Sequence, residues 1–233
     1  MLFFAACGLF AYTSLRSYFR VAEQASNLAA AEQKSILLDA GHGGEDGGAV
    51  GNCPQLEKDI NLAITRKLRS MLEASGFSVV MTRDGDDFIG DNSLPTLAER
   101  KKSDMQARLR CMESHPNSIF VSIHQNHFDN TTYSGAQVFY SSNDEKSSVL
   151  AGTIQNSIVT LLQPDNERQS KAAEKTIYLM RNAKSPAVIV ECGFLSNDSE
   201  AKMLCEEAYQ NQMAFAIYCG IVDYYTAVNA LAT

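Results

Sequence analysis

No internal repeat or low-complexity tract breaks up the 233 residues, so repeat arrays and fibrous architectures are excluded. A basic excess is missing too: 20 Lys and Arg stand against 27 Asp and Glu, a net charge of -7. Nucleic-acid binders carry a basic footprint, so nucleic acid is not expected as a partner. The six cysteines (Cys7, Cys53, Cys111, Cys192, Cys205, Cys219) form no Cys-x-x-Cys pair and no dense framework. They read mostly as small buried apolar residues, with a bridge left open. The one uncharged apolar stretch, Met1 to Leu15, falls short of the roughly 20 residues of a spanning helix and lacks the basic start of a signal peptide. Arg16 and Arg20 follow it, and Glu23 to Ser35 reads as a polar linker. Residues 1–34 are therefore expected to be an export or anchor segment with its linker, the alternative being an amphipathic helix packed on the domain. The protein would then be exported, either membrane-anchored or secreted to the cell-wall side.

What remains, residues 35–228, suits one domain with an ordinary core: 45% of the chain is hydrophobic and 20% charged. Ile36-Leu37-Leu38-Asp39-Ala40 reads as a buried strand, and Gly41-His42-Gly43-Gly44 stops it sharply. Ligands of open α/β sheets bind beyond the carboxyl ends of strands, so His42 is either a metal ligand or a structural histidine in a glycine turn. Glu45 to Pro54 is too rich in glycine to be regular. It is a solvated loop, or a rim where a substrate backbone comes close. A helix opens at Gln55 to Asp59, with Ile60, Ile64, Leu68 and Leu72 on one stripe and Gly76 as its stop. The strand Phe77 to Thr82 completes a parallel βαβ unit. That topology brings Glu57, at the start of the crossover helix, to the edge that carries His42. By itself Glu57 could equally cap the helix dipole.

Arg83 to Pro95 is acidic and irregular. Thr96 to Ser114 is expected to be a helix with Leu97, Met105, Leu109 and Met112 inward. Arg100, Lys101, Lys102, Arg108 and Arg110 would form its solvated side. Ile119 to Ile123 is a second buried strand delivering His124 to the same edge. Two histidines and one carboxylate there match a catalytic zinc site with an open fourth position. His127 is expected to be exposed, and His115 to sit on the surface at a helix end. Gln137 to Tyr140 is a strand, Lys146 to Leu162 a helix, Gln163 to Lys175 irregular and Ile177 to Leu179 a short strand. Ala187 to Glu191 is the last strand, and an acid closing a buried strand is costly unless paired or functional. Cys192 should face away from Glu191. Asn197 or Ser199 is set to cap the C-terminal helices.

Asp39-Ala40-Gly41-His42-Gly43-Gly44 with Asp46, Glu57-Lys58-Asp59, Thr82-Arg83, Ser122-Ile123-His124-Gln125-Asn126 and Glu191-Cys192-Gly193-Phe194-Leu195-Ser196-Asn197 stand in a set order. This ordered set resembles the zinc-dependent N-acetylmuramoyl-L-alanine amidases of the amidase-3 family, over about Ile36 to Tyr225. The short loop before Glu57 and the apolar N-terminus look most like its germination-specific, spore-cortex type. The resemblance implies an α/β domain with a mixed, mostly parallel sheet of about six strands flanked by helices. It implies one zinc ion on His42, Glu57 and His124, with Glu191 as the catalytic carboxylate. The implied substrate is a peptidoglycan glycan strand with its stem peptide, and there is room for an exported accessory protein. Ala40 stands where the family more often has Pro, and Gln125 where it has Ala; neither is an implied ligand. A zinc peptidase would use the same ligands, whereas a wall-binding module or an anchored scaffold would not need all four residues.

Overall fold

The computed structural model describes residues 20–25, 34–51 and 53–230. Six strands form one sheet: β1 (Ser35–Ala40), β2 (Ser78–Met81), β3 (Ser118–Asn126), β4 (Gln137–Tyr140), β5 (Lys171–Ala172) and β6 (Ala187–Phe194), ordered β2-β1-β3-β6-β4-β5. All neighbours run parallel except β4 and β6, so the sheet is mixed and mostly parallel. Six named helices cover it: α1 (Glu57–Ala74), α2 (Leu97–Ser114), α3 (Glu145–Leu161), α4 (Tyr178–Asn182), α5 (Asp198–Leu204) and α6 (Glu207–Ala230).

Alternation along β1 shows how both faces are filled. Ile36 and Leu38 join the larger core beneath α1, α3 and α6, while Leu37 joins Phe120, Met112 and Met180 beneath α2 and α4. Strands buried on both sides must be apolar at every position, which is why they read as continuous hydrophobic runs rather than alternating ones. Each fully buried Leu or Ile stabilises the fold by about 1.5–3 kcal/mol.

Several elements depart from the sequence expectation. Ile177 to Leu179 is not a strand: Tyr178–Asn182 is a helix, and the fifth strand is Lys171–Ala172, inside the segment expected to be irregular. Adjacent Leu179 and Met180 are both buried, which a strand facing one core cannot arrange. The Ser141 hydroxyl and the Asn143 amide hold the carbonyls of Met180, Arg181 and Ala183 at the end of α4. On α2, Met105, Leu109 and Met112 face the second core as expected, but Leu97 is 46% exposed and Arg108, expected on the solvated side, is sealed in the interior. Residues 20–25, which run into the expected linker, are helical; Ala25 is buried in the core and the Gln24 amide donates to Thr226 Oγ1 at 2.6 Å. The apolar stretch Met1 to Leu15, expected to be an export or anchor segment, lies outside the described residues. No helix among the described residues is long and apolar enough to cross a membrane. Cys53 and Cys205 form a disulfide, Cys192 and Cys219 are buried thiols, and Cys111 is half-buried.

Candidate metal centre

The backbone after β1 decides where His42 points. Gly41 N–H bonds to Ile123 O at 3.0 Å, carrying the ladder with β3 one residue beyond the strand. His42 then adopts φ 63, a left-handed conformation uncommon for a residue with a side chain. Reciprocal backbone bonds between Gly43 and Asp46, at 3.0 and 3.1 Å, fold the chain back under the imidazole. Asp46 Oδ2 accepts from His42 Nδ1 at 2.9 Å, which keeps the proton on Nδ1 and leaves Nε2 facing Glu57.

Two buried arginines hold this turn. Arg83 donates to Ala40 O (2.9 Å), Gly41 O (3.0 Å) and Lys58 O (2.8 Å), joining the His42 turn to the first turn of α1. Arg108, expected to be solvated, donates to Ala40 O (3.0 Å) and His42 O (2.6 Å) and pairs with Asp39 and Asp104. Burial would raise the Asp39 pKa, but Arg108 beside it and the Ser122 and Thr82 hydroxyls hold it below the usual value. The signal for Arg108 lay in Asp39 itself: an acid inside an apolar strand needs a buried cation.

Glu57, buried at the start of α1, stands between the two imidazoles. Its Oε1 lies 3.2 Å from His42 Nε2 and 3.1 Å from His124 Nδ1, and also accepts from Gln125 N–H at 3.1 Å and the Asn61 amide at 3.3 Å. Oε2 accepts from Ala49 N–H at 2.6 Å. Burial favours the neutral acid, yet these hydrogen bonds and the imidazole charges keep Glu57 well below the usual carboxylate range. Burial likewise favours neutral His42, but Asp46 and Glu57 push it up to about 9. The surroundings are thus negative and favour a cation. One ligand atom from each of His42, Glu57 and His124 lies within 4.8 Å of the others. The Glu57 oxygen, 3.2 and 3.1 Å from the two imidazole nitrogens, stands near the ligand-to-ligand spacing of a tetrahedral zinc ion with bonds of about 2.0–2.2 Å. Two glycines make the approach possible. A Cβ on Gly41 would sit 2.3 Å from the His124 ring, and one on Gly48 would sit 2.4 Å from Glu57 Oε2.

Glu191 pairs in register with His124 on the neighbouring parallel strand, so the two side chains leave the same face of the sheet. Glu191 Oε2 is shut off from solvent and has no hydrogen-bond partner. Burial, which outweighs the opposing pull of His124, pushes its pKa up to about 7. A carboxyl group in that range can both take and give a proton near neutral pH. Cys192 turns the other way into the core. Of the remaining histidines, His127 is exposed and His115 caps α2 with Nδ1 on Cys111 O at 2.8 Å.

An α/β sheet with an acid and an imidazole–carboxylate–imidazole cluster at one carboxyl edge is the build of a hydrolase. Residues 36–223 match the amidase-3 family, described as N-acetylmuramoyl-L-alanine amidase. The chain belongs to this family, and its activity is that of an N-acetylmuramoyl-L-alanine amidase acting on peptidoglycan. It is 37% identical to the germination-specific N-acetylmuramoyl-L-alanine amidase of Bacillus subtilis, over 83% of this chain and 80% of the relative. Among solved structures it is similar to the CwlD amidase from Clostridioides difficile, determined in complex with the GerS lipoprotein. The two share 40% identity and a TM-score of 0.80, over 83% of this chain and 99% of that one. Amidase AmiC2 of Nostoc punctiforme shows 30% identity and a TM-score of 0.69, over 84% and 98%.

Proposed function

We propose that His42, Glu57 and His124 hold one zinc ion per chain and that Glu191 is the catalytic carboxylate. The convergence of the three ligand atoms within 4.8 Å of one another carries this reading. Zinc, when bound, supplies a Lewis acid that polarises the scissile carbonyl and lowers the pKa of the attacking water. Glu191, in register with His124, accepts the water proton and returns it to the leaving nitrogen of L-alanine. Asp46 fixes the tautomer of His42, and Glu57 is held by Ala49 and Gln125 so that it does not swing away. The bond presented is the lactyl amide of muramic acid, the linkage that the family's amidases cut.

The same reading extends to biology. The relative named germination-specific supports a role in spore-cortex modification, where removal of the stem peptide prepares muramic acid for lactam formation. The relative solved with a lipoprotein supports an exported accessory partner. The uncharged run Met1 to Leu15 supports export, with or without a membrane tether. Mass spectrometry of muropeptides treated with purified protein should show intact stem peptides with a free L-alanine amino terminus. Cleavage inside the peptide would sink the amidase assignment for this site. Zinc content should fall in His42→Ala, Glu57→Ala and His124→Ala, and any variant that keeps one tight zinc per chain removes that residue from the ligand set. Deletion in a spore-former should give spores without muramic lactam, and normal lactam content would leave a general wall amidase.

A further inference from the structure

Beside the metal centre lies an open cleft of about 340 Å³ whose residues take no part in the chemistry above. It begins at the site itself: Gln137 is in register with Glu191, and Asn126, two residues beyond His124, is in register with Phe194. Its wall is aromatic and exposed. Phe128 is 55% and Tyr133 45% accessible, their rings meet edge to face at 5.2 Å, and Tyr133 stacks on Phe194 at 6.2 Å. Clustered exposed aromatics of this kind mark surfaces that a ligand covers.

Two cations stand over these rings. The Arg168 guanidinium lies 5.0 Å from the Phe194 centroid, and Lys171 Nζ lies 5.2 Å from that of Phe139. Arg168 Nη2 donates to Gln137 Oε1 at 2.5 Å, whereas its Nε is sealed from solvent without a partner. Glu174 also lines the cleft, but neither cation forms an ion pair among the described residues. In a chain of net charge -7 this is a local positive spot at the active edge. Wall sugars carrying amide-linked stems are neutral, so the charge selects for peptide rather than glycan.

We propose that this cleft is the subsite for the stem peptide, with Arg168 recognising a carboxylate on the residue that follows L-alanine. The proposal rests on the amidase reading and names the part of the substrate this flank takes. An arginine already stacked on a ring meets a carboxylate with little further loss of freedom. Lys171 reinforces the charge further along the cleft.

The test compares two substrates: N-acetylmuramoyl-L-alanyl-γ-D-glutamyl-L-lysine, and the same compound with the glutamyl α-carboxylate as its amide. The wild-type kcat/KM should favour the acid by roughly tenfold, the worth of one charge-assisted contact. Arg168→Met should bring that ratio close to one, mainly through KM for the acid, and Arg168→Lys should restore part of it. Because both substrates meet the same Glu191, the ratio is insensitive to any general change in catalysis. Lys171→Met, at an exposed position, should lower the ratio to a smaller extent and serves as the second variant should Arg168→Met not fold. A wild-type ratio near one, or an unchanged ratio in Arg168→Met, overturns the proposal. Equal losses on both substrates assign the cleft to sugar and overturn it as well. Hydrolysis of neither substrate by the wild type overturns the amidase reading of this site, and the subsite with it.

Discussion

Replacing Arg108 with methionine tests whether the buried charge network supports both the fold and the proposed metal centre. Arg108 and Asp39 are 0% and 1% exposed, so the substitution strands a carboxylate that keeps only the Thr82 and Ser122 hydroxyls as side-chain donors. Breaking one side of a buried pair costs about 3–5 kcal/mol. The carbonyls of Ala40 and His42 lose a donor at the same time. At about 2–4 °C per kcal/mol for a domain of this size, the melting temperature of the metal-free protein should fall by roughly 6–20 °C. Asp39→Asn in the same chain removes the stranded charge and should recover much of that loss. It cannot restore the bond to His42 O, so the double variant should still bind zinc more weakly than wild type. Denaturant titration of the four proteins of the cycle, with zinc affinity by chelator competition, separates the two effects. Stability of Arg108→Met within about 1 kcal/mol of wild type would refute the reasoning, since a surface arginine behaves that way. The acid limb supplies a further check with a definite sign. Asp39 is held below its ordinary value of 3.8, so its stabilisation is present above that pH and lost as pH falls through the lower folded value. Asp39→Asn should flatten the dependence in that window.

Glu191→Gln should keep its zinc and its fold while turnover drops by roughly 10²–10⁴, because the amide cannot accept the water proton; activity within a few-fold at equal zinc occupancy excludes the role. Gly48→Ala, whose Cβ would meet Glu57 Oε2 at 2.4 Å and His42 Cδ2 at 2.8 Å, should lower zinc affinity by roughly 10–100-fold, the range seen when ligand supports are disturbed. Wild-type affinity in that variant would show that the rim yields. Cys53→Ser with Cys205→Ser opens a link across 152 residues, for which chain entropy sets a loss of about 5 kcal/mol as the upper bound. Unchanged stability under oxidising conditions would mean that the bridge does not form in solution.

Much of this protein was legible from local chemistry. Continuous apolar runs ended by Gly41 and by His124 marked buried parallel strands, and the stripe Ile60, Ile64, Leu68, Leu72 marked the crossover helix between β1 and β2. Topology then put His42, Glu57 and His124 on one edge, because parallel strands share a carboxyl end and the helix that follows starts there. Asn197 was readable as a cap from its residue type, and it accepts from Ser199 and Glu200 N–H.

Other features depend on partners distant in the chain. Arg108 looked solvated because an arginine is ordinarily exposed; only the approach of Asp39, 69 residues away, turns it inward. Ile177 to Leu179 fits a short strand until the second core claims both Leu179 and Met180, which requires a helical turn. The partnering of Cys53 with Cys205 depends on α5 being laid against the rim loop, and six scattered cysteines do not state it. The left-handed turn at His42 is held by Arg83 and Arg108 from two other elements, so its geometry belongs to the assembled fold. Residue type and period thus determined which groups reach the active edge. Long-range pairing of buried charge decided how rigidly those groups are held and which arginines do the holding, because a buried ion's position is set by its counter-ion and not by the residues beside it in sequence.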